Sequence, residues 1–339
     1  MKREESLTLQ KDEPEQKNPA GLTREQLLEL YYYLRLTRAC DDAILRLYKQ
    51  GKIVGGAYTG NGNEATAVGS AYALRREDYL FPMHRDLGAH LVKGQSLRNI
   101  FLQQLGRAGS LTQGRDGTGH YADPELRIYG NVSHLAAMIP VAVGAALASR
   151  MKKQNAVVLS YIGDGGSNVG DFHEGLNMAA VMKLPFVLIV ENNQFAYSTP
   201  VARQHAAERI SDRASGYGIP GCTIDGTDVL QVFETTRMAV ERARRGEGPT
   251  LIESATMRMH GHSASDDASY VPADLLESWR SKDPLTRFEQ LLITHHALTP
   301  AERESTEQRI HAGIEEAVHA AMEDPAPSPE NATEGVFAP

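Results

Sequence analysis

Ala156-Val157-Val158-Leu159-Ser160-Tyr161-Ile162-Gly163-Asp164-Gly165-Gly166 runs from apolar residues into a glycine-rich turn, and Phe186-Val187-Leu188-Ile189-Val190-Glu191-Asn192-Asn193 repeats that arrangement one helix-length later. Both apolar runs are continuous rather than alternating, the pattern of a strand buried on both faces. Between them Val169, Phe172, Leu176, Ala179 and Ala180 recur at helical spacing. Further on, Val229 to Arg245 reads as a helix and Thr250 to Met257 as another strand. Buried strands alternating with helices predict an α/β fold, a parallel sheet with helices on both faces.

The flanks add helices at both ends. Thr23 and Gln26 are spaced as a capping box, opening an amphipathic helix that runs through Leu47-Tyr48 and ends near Gly51. A second helix is predicted from Glu64 to Arg76, and a small-residue helix from Pro140 to Ser149. Residues 106 to 131 interleave six glycines with Arg107, Arg115, Asp116 and His120 and show no periodicity, the mark of a functional or mobile loop. Helices from Ala273 to Ile293 and from Ala301 to Met322 close the chain. We divide it into a flexible arm (1–20), one domain (21–323) and a proline-rich, extended tail (324–339).

Composition narrows the class. With 41% hydrophobic and 23% charged residues the chain is of ordinary globular type. A net charge of −8 without clustered Lys and Arg gives no footprint for nucleic acid. Cys40 and Cys222 are the only cysteines, too few for a disulfide framework or a cysteine-rich zinc site. The start is polar, and no apolar run approaches the roughly 20 residues of a membrane span. A cytoplasmic protein without membrane contact is expected.

The turn Gly163-Asp164-Gly165-Gly166 lies where open parallel sheets bind ligands, beyond the carboxyl end of a strand. Its glycines allow close backbone approach, and a helix beginning near Ser167 would present free N–H groups to phosphate. Neither familiar phosphate motif is present. There is no G-x-x-x-x-G-K-[ST], and Asn168 stands where a dinucleotide fingerprint needs its third glycine. A carboxylate beside a diphosphate is costly unless a cation lies between them, so Asp164 argues for a bridging metal. Asn193, at the end of the neighbouring strand, adds a second hard oxygen donor suited to Mg2+. Arg85, in Met83-His84-Arg85-Asp86, offers a planar donor fork for phosphate.

Gly163-Asp164-Gly165 … Gly170-Asp171-Phe172-His173-Glu174 … Leu176-Asn177 … Pro185 … Glu191-Asn192-Asn193 resembles the thiamine-diphosphate motif. Together with His260-Gly261-His262-Ser263-Ala264-Ser265-Asp266, it is similar to the alpha subunit of the thiamine-dependent first component of 2-oxo acid dehydrogenase complexes. The resemblance covers about residues 22 to 325. It implies a thiamine-diphosphate-binding fold and oxidative decarboxylation of pyruvate or a branched-chain 2-oxo acid, with acyl transfer to a lipoyl group of a partner acyltransferase. It implies Mg2+ held by the side chains of Asp164 and Asn193 and the backbone carbonyl of Phe195. Gly163, Gly165 and Gly166 would shape the cofactor turn. Arg85, His84 and His260 would contact the diphosphate, and Ser133 and Leu135 would present backbone groups to the aminopyrimidine ring. His262 would face the thiazolium ring as the catalytic acid or charge stabiliser. Two departures stand out. Asn63 replaces a residue of the family's G-Q-E-A segment, and Ala137 and Met138 replace polar residues of relatives that bind potassium.

The cofactor also needs a carboxylate at its aminopyrimidine, which in this family comes from a beta subunit. A heterotetramer of two alpha and two beta chains is therefore expected, with this chain inactive alone. Acetoin dehydrogenase is the alternative within the class. A nicotinamide-dependent oxidoreductase and a non-catalytic scaffold are the alternatives outside it.

Overall fold

The computed structural model describes residues 20–334 except Asn131. The predicted arm, apart from Ala20, lies outside the described residues. The capping box of Thr23 and Gln26 forms as its spacing requires, and opens helix α1 (Arg24–Lys49). Next come α2 (Glu64–Tyr72), strand β1 (Tyr79–Phe81), α3 (Leu87–Val92) and α4 (Leu97–Gln104). Helix α2 stops four residues short of the predicted Arg76. Its apolar contact surface ends there, and the chain must turn to enter β1.

The sheet has seven strands. In chain order they are β1, β2 (Ala122–Asp123), β3 (Ile128–Tyr129), β4 (Val158–Gly163), β5 (Phe186–Asn192), β8 (Gly221–Asp225) and β9 (Thr250–Ala255), and a separate hairpin holds β6 (Phe195–Ala196) and β7 (Thr199–Pro200). The spatial order is β2-β3-β1-β4-β5-β9-β8, antiparallel only between β2 and β3. Every residue of β5 is buried, so both sheet faces are covered. Helix α5 (Met138–Met151) packs on β1, β4 and β5, while α7 (Val229–Arg244) packs on β5, β8 and β9. Helix α6 (Gly170–Val181) lies against α5, and α2 lies against α7.

Several predicted boundaries move. The Gly-rich segment 106–131 is not wholly a loop, because it contributes the two-residue edge strands β2 and β3. β8 escapes notice in the sequence because it lies at the sheet edge and is only half-buried, leaving a mixed pattern. The helix expected from Ala273 to Ile293 is two, α8 (Ala273–Arg280) and α9 (Pro284–Thr294). Pro284 cannot donate to a preceding turn, so it starts a new helix, capped by the Asp283 carboxylate on the Thr286 N–H. Helix α10 (Pro300–Glu323) follows. The tail beyond it is extended to Ser328, makes a short 3-10 turn at Pro329–Thr333, and lies along the Gly-rich loop. Among the described residues no helix is long and apolar enough to cross a membrane.

One buried ion pair joins these layers. Asp78, fully buried before β1, takes a two-pronged contact from Arg244 at the end of α7, at 2.7 and 3.1 Å. The same carboxylate accepts the N–H groups of Val157 and Arg75. Replacing Asp78 by Ala leaves the Arg244 guanidinium only the Asn155 carbonyl and strands two backbone donors, a loss of about 3 kcal/mol. Thermal unfolding of Asp78→Ala is expected to drop by roughly 10 °C, whereas Glu277→Ala, which breaks only the exposed pair with Arg280, leaves the transition in place.

Candidate functional site

The ladder between β4 and β5 sets the site. Gly163 lies opposite Glu191, and Asn192 lies opposite Ala255 of β9. Three parallel strands thus end side by side, and each continues into a segment with chemistry: Asp164-Gly165-Gly166, Asn193-Gln194-Phe195, and Thr256 to His262. The glycines are required by close approach. A Cβ on Gly165 would come 2.5 Å from the Cβ of Ala196, and one on Gly166 would come 2.6 Å from Ile162 and 3.5 Å from Leu135. The structure therefore brings the turn after β4 against both the β6–β7 hairpin and the turn carrying Ser133 and Leu135. The helix expected to begin near Ser167 differs: Gly166–Asn168 is a 3-10 turn, and α6 starts at Gly170 because Val169 is extended.

Asp164 is buried, and its carboxylate accepts one side-chain bond, from Gln204 Nε2 at 2.5 Å. Burial pushes its pKa up, against the Gln204 bond and neighbouring backbone N–H groups. Asn193 is also buried, and among the described residues its Oδ1 has no hydrogen-bond partner. A buried carbonyl oxygen left unpaired costs about 1–3 kcal/mol, so it asks for a donor or a cation. The Phe195 carbonyl accepts from Arg258 Nη1 at 2.9 Å and keeps a second lone pair. These donors are all oxygen, which fits a hard cation completed by phosphate and water. Among the described residues no three His, Cys, Asp or Glu side chains gather into an all-protein metal site.

Two buried arginines border this cluster. Arg85 donates to the Thr59 carbonyl at 2.9 Å and to the His262 carbonyl at 2.5 Å. Burial, helped by Arg258, lowers its pKa to about 10, well above neutrality, so it stays charged. Arg258 reaches the carbonyls of Phe195 and Tyr197 and the Tyr270 hydroxyl, which in turn donates to Asp266. Asp266 also accepts the His262 N–H at 2.6 Å. This network ties the His260–Asp267 loop to the β6–β7 hairpin.

His262 sits between Tyr58 and Tyr197, with ring centroids 5.7 and 4.7 Å away. Burial and the positive charges of Arg85 and Arg258 lower its pKa to about 4. His84 packs on Tyr58 at 4.9 Å, its Nε2 is buried without a partner among the described residues, and burial lowers its pKa. The His260 carbonyl accepts from Arg258 Nε at 3.3 Å, and Asp42, Arg38 and Lys49 of α1 are among the charges that act on its ring. Ser133 and Leu135 lie in an exposed turn, Leu135 beside Gly166.

Sequence reasoning missed several participants. Arg258 had a signal, a lone charge between two methionines at the end of a buried strand. Gln204 had none, since it reaches Asp164 only through the path of the hairpin. Beneath the site, Asp86 and Glu191 form a buried carboxyl pair. Burial raises both pKa values; the charge and hydrogen bond of Asp86 raise that of Glu191 further, whereas the bond from Glu191 favours ionised Asp86, so the pair holds a proton between them. Asp41 and Glu64 hold the backbone N–H groups of Gly60 and Gly62 at 2.8 Å each, which fixes the loop beneath Tyr58.

The sequence profile of the family described as Dehydrogenase E1 component matches residues 32–330. The chain belongs to that family, as an alpha subunit of the thiamine-diphosphate-dependent 2-oxo acid dehydrogenases. Its relatives include the 2-oxoisovalerate dehydrogenase subunit alpha of Bacillus subtilis, 39% identical over 321 residues that cover 94% of this chain and 97% of that protein. The chloroplastic pyruvate dehydrogenase E1 component subunit alpha-3 of Oryza sativa is 36% identical, over 94% of this chain and 77% of its own. The alpha subunit of an acetoin:2,6-dichlorophenolindophenol oxidoreductase of Bacillus subtilis is 36% identical, over 91% and 92%.

The depressed histidines make stability depend on pH. His262 binds a proton near pH 6.5 when unfolded but only near about 4 when folded. The unfolded chain therefore holds the extra proton in that window, and stability present above pH 6.5 is lost as pH falls towards 4. Urea midpoints measured across this range should fall with acidity, and less steeply for His262→Gln. An unchanged slope in the variant would show that His262 is not held neutral.

Proposed function

We propose that this chain forms the diphosphate-binding half of a thiamine-dependent 2-oxo acid dehydrogenase, with Mg2+ held between Asp164, Asn193 and the Phe195 carbonyl. The observation that carries the reading is the unpaired Asn193 Oδ1, buried at the next strand end from the Asp164 carboxylate. Bound thiamine diphosphate would supply the electron sink for loss of carbon dioxide from a 2-oxo acid. The chain's own residues bind and orient it. Gly163, Gly165 and Gly166 let the backbone approach the diphosphate, and Asp164 and Asn193 neutralise it through the metal. Arg85 adds a fixed positive charge from below. Ser133 and Leu135 line the aminopyrimidine side. His262, neutral at physiological pH, stands ready to donate or accept a proton at the reacting end. His84 and Tyr58 wall that end. His260, whose carbonyl is held by Arg258 Nε, is a further candidate for contact with the diphosphate.

The partner is a beta chain, in a complex of two alpha and two beta subunits. The exposed face beside the cofactor turn supports this. Val132, Leu135, Val141, Val169, Met178 and Val181 are exposed on α5, α6 and the turns that precede them, Val181 to 77%. Large apolar side chains left exposed on two packed helices suit an interface. The acyl group then passes to a lipoyl-bearing acyltransferase. The domain spans 21–323, with an arm before it and a tail after it. The two free thiols, Cys40 and Cys222, fit a reducing, cytoplasmic setting.

Reconstitution with the beta chain tests the proposal. The assembled complex should decarboxylate pyruvate or a branched-chain 2-oxo acid, or else cleave the carbon–carbon bond of acetoin, in the presence of thiamine diphosphate and Mg2+, and the single chain should not. Asp164→Asn and Asn193→Ala should each weaken metal-dependent cofactor binding by about a hundredfold, read by calorimetry. Normal turnover by the single chain, or normal cofactor affinity in both variants, would overturn it.

A further inference from the structure

The Gly-rich loop has no role in the account so far, yet its anchoring is unusually complete. Gln103, fully buried on α4, donates from Nε2 to the Asp116 carbonyl at 2.9 Å. The Thr112 hydroxyl lies 3.0 Å from the same carbonyl. The Asp116 carboxylate accepts the Gly117 N–H at 2.7 Å. The far side of the loop is strapped by the tail: Asp324 Oδ1 accepts the Gly109 N–H at 2.8 Å, the Pro325 carbonyl accepts the Ala108 N–H at 3.0 Å, and the Asn331 carbonyl accepts Arg115 Nε at 3.0 Å.

What this anchoring delivers is an imidazole. His120 Nδ1 lies 3.2 Å from Asp116 Oδ1, and its Nε2 lies 3.3 Å from the Ser133 hydroxyl. A carboxylate only accepts, so Nδ1 carries the proton, and in the neutral ring Nε2 must accept from Ser133. A chain of contacts thus runs from a buried amide on α4, through Asp116 and His120, to Ser133. Among the described residues nothing else bonds the Ser133 side chain, and residues 132 to 135 are exposed.

We propose that His120 is a positioning residue for the cofactor turn: oriented by Asp116, it fixes Ser133 and with it the backbone of 132–136 in the shape that receives the aminopyrimidine. The proposal rests on the functional reading above for what the turn receives, but the coupling of His120 to Ser133 belongs to the cofactor-free protein. An ordered turn would bind without first losing conformational freedom, which is how a residue outside ligand contact raises affinity.

The test uses the assembled complex freed of cofactor, with two readouts: hydrogen exchange of the 132–137 amides, and calorimetric titration with thiamine diphosphate and Mg2+. His120→Ala and Ser133→Ala should each speed exchange by about tenfold, the scale of one hydrogen bond, and weaken binding to a similar degree. The double variant should be no worse than either single one, because both remove the same contact. His120→Gln, whose amide reaches the position of Nε2, should restore most of both signals, and His120→Asn, which reaches only that of Nδ1, should not. Additive losses, equal behaviour of the Gln and Asn variants, or unchanged exchange in His120→Ala would overturn the proposal. A wild-type complex that shows the coupled exchange but binds no thiamine diphosphate would overturn the functional reading instead, and with it the purpose assigned to the turn.

Discussion

The pairing of β4 with β5 is the constraint on which the site depends. Parallel strands in register end at the same level, and with Gly163 opposite Glu191 the residues that follow each strand emerge side by side. A one-residue slip would turn every side chain of a strand to the other face. The continuous apolar runs of both strands tolerate that slip poorly, since each residue is fitted between helices on both sides. The ladder therefore carries chemistry at no separate cost: the forces that bury Val187 to Val190 also put a carboxylate and an amide oxygen next to each other. β9 extends the same logic, because its end opposite Asn192 launches the chain towards Arg258 and His262.

That constraint also explains what was legible in the sequence. β4 and β5 were read to within a few residues because burial on both faces leaves a continuous apolar run, and α6 and α7 because one buried face leaves a helical spacing. The capping box of α1 was legible for a similar reason, as its two partners lie three residues apart. Edge elements were not. β8, half-exposed, and the two-residue strands β2 and β3 bury too little to leave a periodicity. The break at Pro284 was visible in principle, but the apolar spacing of α8 and α9 continues across it. The tail looked free because its composition is proline-rich, yet its contacts are made by backbone carbonyls and by Asp324, which composition does not register.

The site divides along the same line. Asp164, Asn193 and Arg85 announce themselves by being polar where the surroundings are apolar. Gln204 and Tyr197 do not, because their role comes from the fold of a hairpin rather than from local sequence.

Charge placement gives these pieces a common purpose. Arg85 and Arg258 are both buried and both bonded to backbone carbonyls of the loops around His262. A guanidinium has five donors, so Arg85 can keep its hold on Thr59 and His262 and still offer others to an anion. Burying two cations together is unfavourable unless negative charge is near. The structure supplies part of it through Asp266, which is bonded to Tyr270 beside Arg258, while Asp86 and Glu191 share a proton. The positive charge that remains weakens the basicity of His262, so the same pair of arginines both orders the loops around that histidine and holds its ring neutral.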